Sequence, residues 1–247
     1  QYWQQTMPPV TLGIIGLGNI GSTLAQYAMD LGWQVLGYDP LLPPSNLNNA
    51  SLEQVLSQSD AVSLHVPLTD SKDGTRPSGS DYPTKHFIDA NTLAMMPAHT
   101  LLINSARGPV INARDLEADI ERTDRQVVLD VFEFEPEISE RLLSKLAIAT
   151  PHIAGYTLEG KLRGTQIIYD ALCEKLAVIP VQSMHGLLPL NMFLWSELKM
   201  HPDRLIKFYN IMEDDAALRS KLADGQVKGA DFDQLRRDYR LRREWQW

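Results

Sequence analysis

The chain has 247 residues, 44% of them hydrophobic, and a formal net charge of -8 at pH 7. This is enough apolar material for one large domain, or for one domain and a smaller unit. The acidic balance argues against general affinity for nucleic acid or for an anionic membrane, and no apolar run reaches the length of a membrane span. The single cysteine, Cys173, excludes an internal disulfide framework, and the stretch before Val10 has no signal-like leader, so we expect a reducing, cytoplasmic setting.

The first predicted element runs from Thr11 to Ser22, where a short apolar strand ends at a glycine cluster and a helix begins. Gly16, Gly18 and Gly21 have the GxGxxG spacing. In a dinucleotide site the first glycine allows a tight turn, the second lets a pyrophosphate approach the backbone, and the third lets helix and strand pack closely. The helix N-terminus then faces the phosphates. The motif alone is weak, because a glycine-rich turn can be purely structural.

A second feature favours a dinucleotide site. Residues 33–38 form the next predicted strand, which ends at Asp39, eighteen residues after Gly21. An acidic side chain at this place accepts hydrogen bonds from the ribose hydroxyls and repels a 2′-phosphate. The sequence therefore predicts NAD as the cofactor.

Further strands and helices alternate along the first 150 residues. Strands are expected at 60–65, 100–103, 126–131 and 146–149, and helix N-caps at Ser51, Asp89 and Asn112. His65 closes the third strand and is expected to be structural, whereas Val66 and Pro67 after it are candidates to line the cofactor. Residues 71–83 are turn-rich and predict a surface loop. The alternation predicts a doubly wound parallel α/β sheet of the Rossmann type, with right-handed crossovers.

The sequence divides into three parts. Residues 1–156 are expected to form the dinucleotide-binding domain, and residues 157–179 one long helix with Cys173 as a packed core thiol within an apolar helical pattern. Residues 180–247 differ in composition, with two expected helices at 203–212 and 232–243. They contain no further strand–glycine–helix unit, and we interpret them as a separate small module.

Three residues follow successive predicted strands at one edge of the sheet: Arg107, Glu135 and His152. Oxidation of a 2-hydroxy acid by a nicotinamide cofactor needs a cation for the carboxylate, a base for the hydroxyl proton and a group that orients the base. Arginine binds a carboxylate with two parallel hydrogen bonds, and histidine exchanges a proton near neutral pH. Each residue alone has an ordinary structural explanation. Their order after the glycine turn and Asp39 favours a catalytic set.

Residues 11–156 resemble the NAD-binding domain of the D-isomer-specific 2-hydroxyacid dehydrogenases, through the runs GLGNIG, HVPLT, INSARG, DVFEFEP and TPHIAG. The run HIAGYTLEGKLRGT and the C-terminal FDQLRRDYRLRREW are similar to a branch of that family that carries an extra C-terminal module. The resemblance implies oxidation of a small phosphorylated hydroxy acid at C2 with NAD, and a homodimer formed through the module.

The resemblance also implies residue roles. Arg107 matches the binder of the substrate carboxylate, Glu135 the orienting carboxylate, His152 the proton donor and acceptor, and Tyr156 a substrate contact. Asp130 matches a residue that meets the nicotinamide carboxamide. The residues expected at the cofactor are Gly16, Gly18, Asn19, Ile20, Gly21, Asp39, Val66, Pro67, Ser105, Asp130 and Gly155. No metal site is predicted.

The chain departs from the family pattern at its start. In the family, roughly 100 residues, about one small domain, precede the glycine turn and form most of the substrate-binding lobe. Here the turn begins near residue 16, and the C-terminal module stops early. We therefore expect a fragment that presents the cofactor half of the site, with turnover reduced or absent.

A cluster of arginines lies near the C-terminus. Its members are Arg236, Arg237, Arg240, Arg242 and Arg243. One interpretation is a solvated helix face paired with the neighbouring acidic residues 233, 238 and 244. The other is that one arginine reaches across a dimer to the substrate phosphate.

Two alternative functions stay open on the sequence. The first is another enzyme of the same family, such as a hydroxypyruvate or glyoxylate reductase, against which the C-terminal module argues. The second is a non-catalytic, NAD-sensing interaction protein on the same fold, since fold alone does not fix function. The presence of Arg107, Glu135 and His152 together argues against the second.

Overall fold

The computed structural model describes residues 10–71, 79–201 and 204–246, and most of its strands form one six-stranded sheet. In chain order the strands are β1 (Thr11–Ile15), β2 (Gln34–Tyr38), β3 (Ala61–Leu64), β4 (Leu101–Asn104), β5 (Val127–Leu129), β6 (Ile138–Ser139), β7 (Ile148–Ala149), β8 (Leu222–Ala223) and β9 (Gln226–Val227). The large sheet has the spatial order β2-β1-β3-β4-β5-β7, with every neighbouring pair parallel. This confirms the predicted Rossmann-type sheet, although β5 and β7 are shorter than the sequence predicts.

Helices connect the strands and cover both faces of the sheet. They are α1 (Asn19–Asp30), α2 (Leu52–Gln58), α3 (Ala90–Met95), α4 (Ala113–Thr123), α5 (Glu140–Leu143), α6 (Leu158–Lys175), α7 (Trp195–Leu198), α8 (Leu205–Phe208), α9 (Ile211–Arg219) and α10 (Gly229–Arg237). The predicted N-caps at Ser51, Asp89 and Asn112 are confirmed, since each side chain accepts backbone N–H groups of its helix. Leu12 and Ile14 pack in one buried cluster and Ile15 in another, as the alternation of side chains along a strand requires.

A second, smaller sheet connects the C-terminal region, residues 180–246, to strand β6 of the predicted dinucleotide-binding domain. The hairpin β8–β9 pairs through β9 with β6, in the antiparallel sense. Close by, the Asp215 carboxylate of α9 accepts the Ala149 N–H at 2.7 Å, and Arg219 donates to the Leu143 and Leu146 carbonyls at 2.7 and 2.8 Å. The C-terminal region is therefore bonded to the end of β7, next to the position of His152.

Aromatic rings form another contact between the C-terminal region and α1. The ring of Tyr27 meets those of Trp195 and Trp245 edge-on, with centroids 4.5 and 5.3 Å apart. The Trp195 indole N–H also donates to Asp30 at 2.9 Å. The helix that follows the glycine turn is thus packed directly against residues near the chain's C-terminus.

Three predicted helix boundaries are wrong. The long helix ends at Lys175, four residues early, and Ala177 after it has a left-handed φ of +54°. The helix expected at 203–212 is broken at Tyr209, because Asn210 caps a new helix, α9; residue 203 lies outside the described residues. The helix expected at 232–243 begins at Gly229 and ends at Arg237.

The apolar side chains of α6 are only partly buried, although the sequence pattern predicts a packed apolar face. Cys173 is buried, as predicted, but Ile168 and Leu172 on the same pattern are 72% and 53% exposed. The periodicity correctly indicates a helix with an apolar stripe, but it carries no information on what covers that stripe. Of the predicted surface loop at 71–83, residues 72–78 lie outside the described residues. No helix in the described part of the chain is long and apolar enough to cross a membrane.

One buried ion pair ties helices α3 and α4 together. Arg125 is 1% exposed, and its guanidinium donates to Asp119 at 2.6 Å and to the Pro97 carbonyl at 2.7 Å. Further bonds go to the carbonyls of Leu93, Met96 and Thr100. Arg125 thereby bonds to carbonyl groups at the C-terminal end of α3 and in the turn that follows it.

We predict that Arg125→Met lowers the free energy of unfolding by about 3–5 kcal/mol, because Asp119 and several carbonyls lose a buried partner. Arg122→Ala is the matched control, since Arg122 pairs with the same Asp119 but is 63% exposed in its side chain. The control should cost less than about 1 kcal/mol. Urea unfolding of both variants measures the difference, and equal losses would contradict the role given to Arg125.

Candidate active site

The glycine turn has the geometry that a dinucleotide requires. Gly16 has a left-handed φ of +92°, and a Cβ atom there would lie 2.5 Å from the His65 carbonyl oxygen. A Cβ on Gly21 would lie 2.0 Å from the Gly16 carbonyl oxygen. Gly18, in contrast, has no atom within 4 Å of the Cβ position. The outer glycines are needed for packing, and the middle one leaves space above the backbone for a ligand.

The N-terminus of α1 continues this open surface. Gly18 is its N-cap, no side chain caps it, and the first turn carries no acidic residue. Asn19 and Ile20 are exposed. The unsatisfied N–H groups and the helix dipole therefore favour an anion at this end.

Asp39 lies beside the turn, as the sequence predicts, and also supports it. Its carboxylate accepts the Leu17 N–H at 2.9 Å and the Leu41 N–H at 3.0 Å, one on each oxygen. Each carboxylate oxygen can accept a further bond, so ribose hydroxyls fit this position. Val66 and Pro67 follow β3 at the same sheet edge, the first half-buried and the second exposed.

His152 and Glu135 are brought together as a hydrogen-bonded pair. Nδ1 of His152 lies 2.8 Å from Oε1 of Glu135, and Oε2 of Glu135 accepts the Phe132 N–H at 3.2 Å. Burial alone would raise the pKa of Glu135, but the bonds from His152 and Phe132 and the charge of Arg236 hold that pKa below its usual value. The bond to Nδ1 leaves Nε2 as the ring nitrogen that is available to another partner.

The backbone around His152 is held by Asp130. His152 has a left-handed φ of +54°, which is uncommon for a residue with a Cβ. The buried Asp130 carboxylate accepts the Thr150 hydroxyl at 2.6 Å and the N–H groups of Ile153 and Ala154 at 2.8 and 2.9 Å. Asp130 therefore positions the loop that carries the histidine. Its contact with the nicotinamide carboxamide stays a prediction.

Arg107 is exposed immediately after β4. Asn104 shapes this turn, since its side chain accepts the Ala106 N–H and donates to the Arg107 carbonyl, both at 3.0 Å. The guanidinium donates to the Ala106 carbonyl at 2.6 Å. Within the described residues it has no acidic partner. Ser105, expected at the cofactor, is half-buried in the same turn.

The turn after Arg107 lies directly on the loop that carries Glu135. A Cβ atom on Gly108 would be 1.9 Å from the Phe132 carbonyl oxygen, so only glycine allows this approach. The close contact fixes the distance between the predicted carboxylate binder and the His152–Glu135 pair.

A second histidine–glutamate pair, missed by the sequence reasoning, supports the same turn. His86 Nε2 lies 2.5 Å from Glu133 Oε1, and the His86 N–H donates to the Pro109 carbonyl at 2.8 Å. The other Glu133 oxygen accepts the Ala113 N–H at the start of α4. Glu133 stands two residues before Glu135, so DVFEFEP supplies both pairs. The repeated glutamate is the signal that could have indicated it.

The C-terminal region contributes to the loop after His152. Arg242 donates to the carbonyls of Ile153 and Ala154 at 3.0 and 3.2 Å, and its own N–H bonds to the Tyr156 carbonyl. Tyr156 is half-buried, and its ring lies edge-on to that of Tyr239 at 5.9 Å. Gly155 is exposed, with no atom near its Cβ position. Nothing in the local sequence pattern predicts the bonds of Arg242.

The arginine cluster is not the self-paired helix face that was one expectation. Arg243 pairs with Glu159 at 2.6 Å instead of with a neighbour, and Glu244 pairs with Arg163 at 3.3 Å. Among the ion pairs of the described residues, Arg236 is the member of the cluster that lies near an expected neighbour, Asp233, at 3.7 Å.

Comparison with known proteins decides the family. Residues 2–154, more than half of the chain, match the NAD binding domain of the D-isomer specific 2-hydroxyacid dehydrogenases. The chain belongs to this family. Residues 201–247 match a second domain family whose function is unknown. The match of residues 2–154 to an NAD binding domain agrees with the geometry of the glycine turn and Asp39.

Several relatives of this D-2-hydroxyacid dehydrogenase chain are named erythronate-4-phosphate dehydrogenase. The one from Psychrobacter arcticus is 76% identical over the whole chain, and the one from Psychrobacter cryohalolentis is 74% identical. A third, from Acinetobacter baylyi, is 51% identical over 95% of the chain. The chain spans 67%, 66% and 65% of the length of these relatives.

Solved structures of the family share the fold. A D-lactate dehydrogenase from Aquifex aeolicus, complexed with NAD and lactic acid, is 31% identical with a TM-score of 0.54, over 67% of this chain and 54% of that one. A glyoxylate reductase from Paecilomyes thermophila is 27% identical with a TM-score of 0.56, over 72% of this chain and 53% of that one.

We predict that Gly108→Ala destabilises the chain by about 3 kcal/mol, because the new methyl group forces the Arg107 turn away from Phe132. Gly164→Ala is the control: nothing lies within 4 Å of its Cβ position in α6, so it should stabilise by about 0.5–1 kcal/mol. Denaturant unfolding gives both values. A neutral Gly108→Ala would contradict the close approach.

His65 gives a pH-dependent prediction. Burial lowers its pKa to about 4, and its ring lies 2.9 Å from the Ser63 hydroxyl, so it is neutral at pH 7. The unfolded chain binds a proton near pH 6.5 and the folded chain only near pH 4, so stability falls as the pH decreases between these values. His65→Gln should remove about 2 kcal/mol of that loss between pH 7 and pH 4.5. Unfolding curves at pH 7 and pH 4.5 test this, and parallel losses in both proteins would contradict it.

Proposed function

We propose that this chain is the cofactor-binding and catalytic part of an enzyme that oxidises 4-phospho-D-erythronate at C2 to 2-oxo-3-hydroxy-4-phosphobutanoate. NAD accepts the hydride, and the reaction serves the synthesis of pyridoxal 5′-phosphate. The observation that carries the proposal is the His152–Glu135 pair, 2.8 Å apart, beside the turn that presents Arg107. The names of the relatives at 74–76% identity supply the substrate.

The proposed roles follow from the contacts. Arg107 has no acidic partner in the described residues, so its guanidinium is available for two parallel bonds to the substrate carboxylate. His152 takes the C2 hydroxyl proton at Nε2, and Glu135 accepts a hydrogen bond from the Nδ1–H group and stabilises the imidazolium that results. Because the pKa of Glu135 is lowered, this carboxylate stays ionised to lower pH than an ordinary glutamate.

Residues of the glycine turn would hold the cofactor. The open space above Gly18 and the uncapped N-terminus of α1 would receive the pyrophosphate, and Asp39 would accept the ribose hydroxyls. Asn19, Ile20, Val66, Pro67, Ser105, Asp130 and Gly155 are the remaining proposed cofactor contacts. The hydrogen bonds of Asp130 to Thr150, Ile153 and Ala154 support a structural role for it beside the proposed cofactor contact.

Assembly and setting are part of the proposal. We propose a homodimer, supported by the exposed apolar side chains of α6 and of the segment after it, among them Ile168, Leu172 and Ile179. The single cysteine supports a cytoplasmic protein. One alternative is a hydroxypyruvate or glyoxylate reductase, which is supported by the structural similarity to a glyoxylate reductase. The other is an NAD-sensing protein without catalysis.

We expect NADH formation with NAD to be faster with erythronate 4-phosphate than with erythronate or glycerate, in protein purified free of host dehydrogenase. Arg107→Lys should lower any such rate by about 100-fold or more while leaving NAD affinity within about twofold, because lysine cannot make the bidentate bond. The readouts are absorbance at 340 nm and NAD binding by calorimetry.

Two results would count against the proposal. Faster reduction of hydroxypyruvate or glyoxylate with NADH would favour another reductase of the family. Arg107→Lys without effect on turnover would remove the carboxylate-binding role, and NAD binding without binding of any of these acids would favour the sensor.

A further inference from the structure

Two cations from different parts of the chain meet at the ring of Tyr156. Lys161, in the first turns of α6, places Nζ 3.8 Å from the ring centroid. Arg236, in α10, places its guanidinium carbon 5.8 Å from the same centroid. Tyr156 follows His152 by four residues, so this positive cluster is next to the loop that carries the histidine.

Arg236 has a hydrogen-bonding capacity that the protein leaves unused. Its Nε atom is buried and has no partner within the described residues. The carboxylate of Asp233 is 3.7 Å from a terminal nitrogen, too far for a good hydrogen bond, and is half exposed to solvent. The Nε itself is out of a ligand's reach, but the side chain is 30% exposed, so the terminal N–H groups of the guanidinium are open to a ligand oxygen.

The other arginines of the cluster differ from Arg236. Arg242 donates to the Ile153 and Ala154 carbonyls, and Arg243 forms an ion pair with Glu159. Arg237 and Arg240 are exposed on the surface. Arg236 also contributes to the lowered pKa of Glu135, which places its charge within reach of the catalytic pair.

We propose that Tyr156, Lys161 and Arg236 form a binding site for a phosphate monoester, at the end of the hydroxy acid opposite to the carboxylate held by Arg107. A dianionic phosphate has oxygens for the Lys161 ammonium, for the terminal N–H groups of Arg236 and for the Tyr156 hydroxyl. The inference rests on the proposed function for the placement of the carboxylate. Arg236 acts here on the site of its own chain, whereas the sequence suggested an arginine that crosses a dimer.

In this arrangement a residue of the C-terminal region, Arg236, contributes to the choice between phosphorylated and unphosphorylated acids. An acid without the phosphate would leave the charges of Lys161 and Arg236 without an anionic partner on the ligand. The site therefore selects phosphorylated acids over their unphosphorylated counterparts, independently of the hydride transfer step.

The test measures binding, with NADH in place of NAD so that no reaction occurs. Calorimetric titration of the NADH-loaded chain with erythronate 4-phosphate and with erythronate gives the preference for the phosphate. We expect a preference of at least about tenfold, which Arg236→Gln and Lys161→Gln each reduce by about tenfold. Arg236→Lys, which keeps the charge, should retain part of it.

Arg237→Gln is the matched control, because it removes the same charge from the same helix at an exposed position and should leave the preference unchanged. Thermal unfolding checks that each variant is folded. Equal binding of the two acids by the unsubstituted chain, or an unchanged preference in Arg236→Gln, would overturn the phosphate site. Selective binding that Arg107→Lys does not weaken would contradict the proposed function, which places the substrate carboxylate on Arg107, and would leave the phosphate site supported.

Discussion

The buried carboxylate of Asp130 is the interaction on which the candidate site depends most. It holds the Thr150 hydroxyl and two N–H groups of the loop after β7, all within 2.9 Å. Those bonds keep His152 in a left-handed backbone conformation that a residue with a side chain adopts at a cost. Glu135 can reach the ring of His152 only because this loop is fixed beside the end of β5. A charged acceptor makes such bonds stronger than a neutral one would.

The C-terminal region takes part in the site instead of lying apart from it. Arg242 bonds to the carbonyls of the loop after His152, and Arg219 bonds to carbonyls before β7. The loop is therefore held from both sides by residues that come late in the chain. Selectivity and catalysis would then be shared between two segments that matched different domain families.

Much of the fold and part of the site could be predicted from the sequence, because they depend on local chemistry. The glycine spacing, the acidic residue at Asp39 and the N-caps are decided by residues a few positions apart. The contacts of Arg242 could not be predicted, since its partners are distant in sequence; Ile153 is 89 positions from Arg242. The same reason explains the wrong helix at 232–243, where long-range bonds replace helical ones. Periodicity on α6 likewise could not show that Ile168 is exposed.

The aromatic contact between α1 and the C-terminal region has an optical consequence. Trp195 and Trp245 lie against Tyr27 on the helix whose N-terminus would receive the cofactor phosphates. A shift of α1 on cofactor arrival would change the surroundings of both indoles, and so the wavelength and yield of their emission. The chain thus contains its own fluorescent reporter of how the glycine-turn helix and the C-terminal region sit together, and no attached dye is needed.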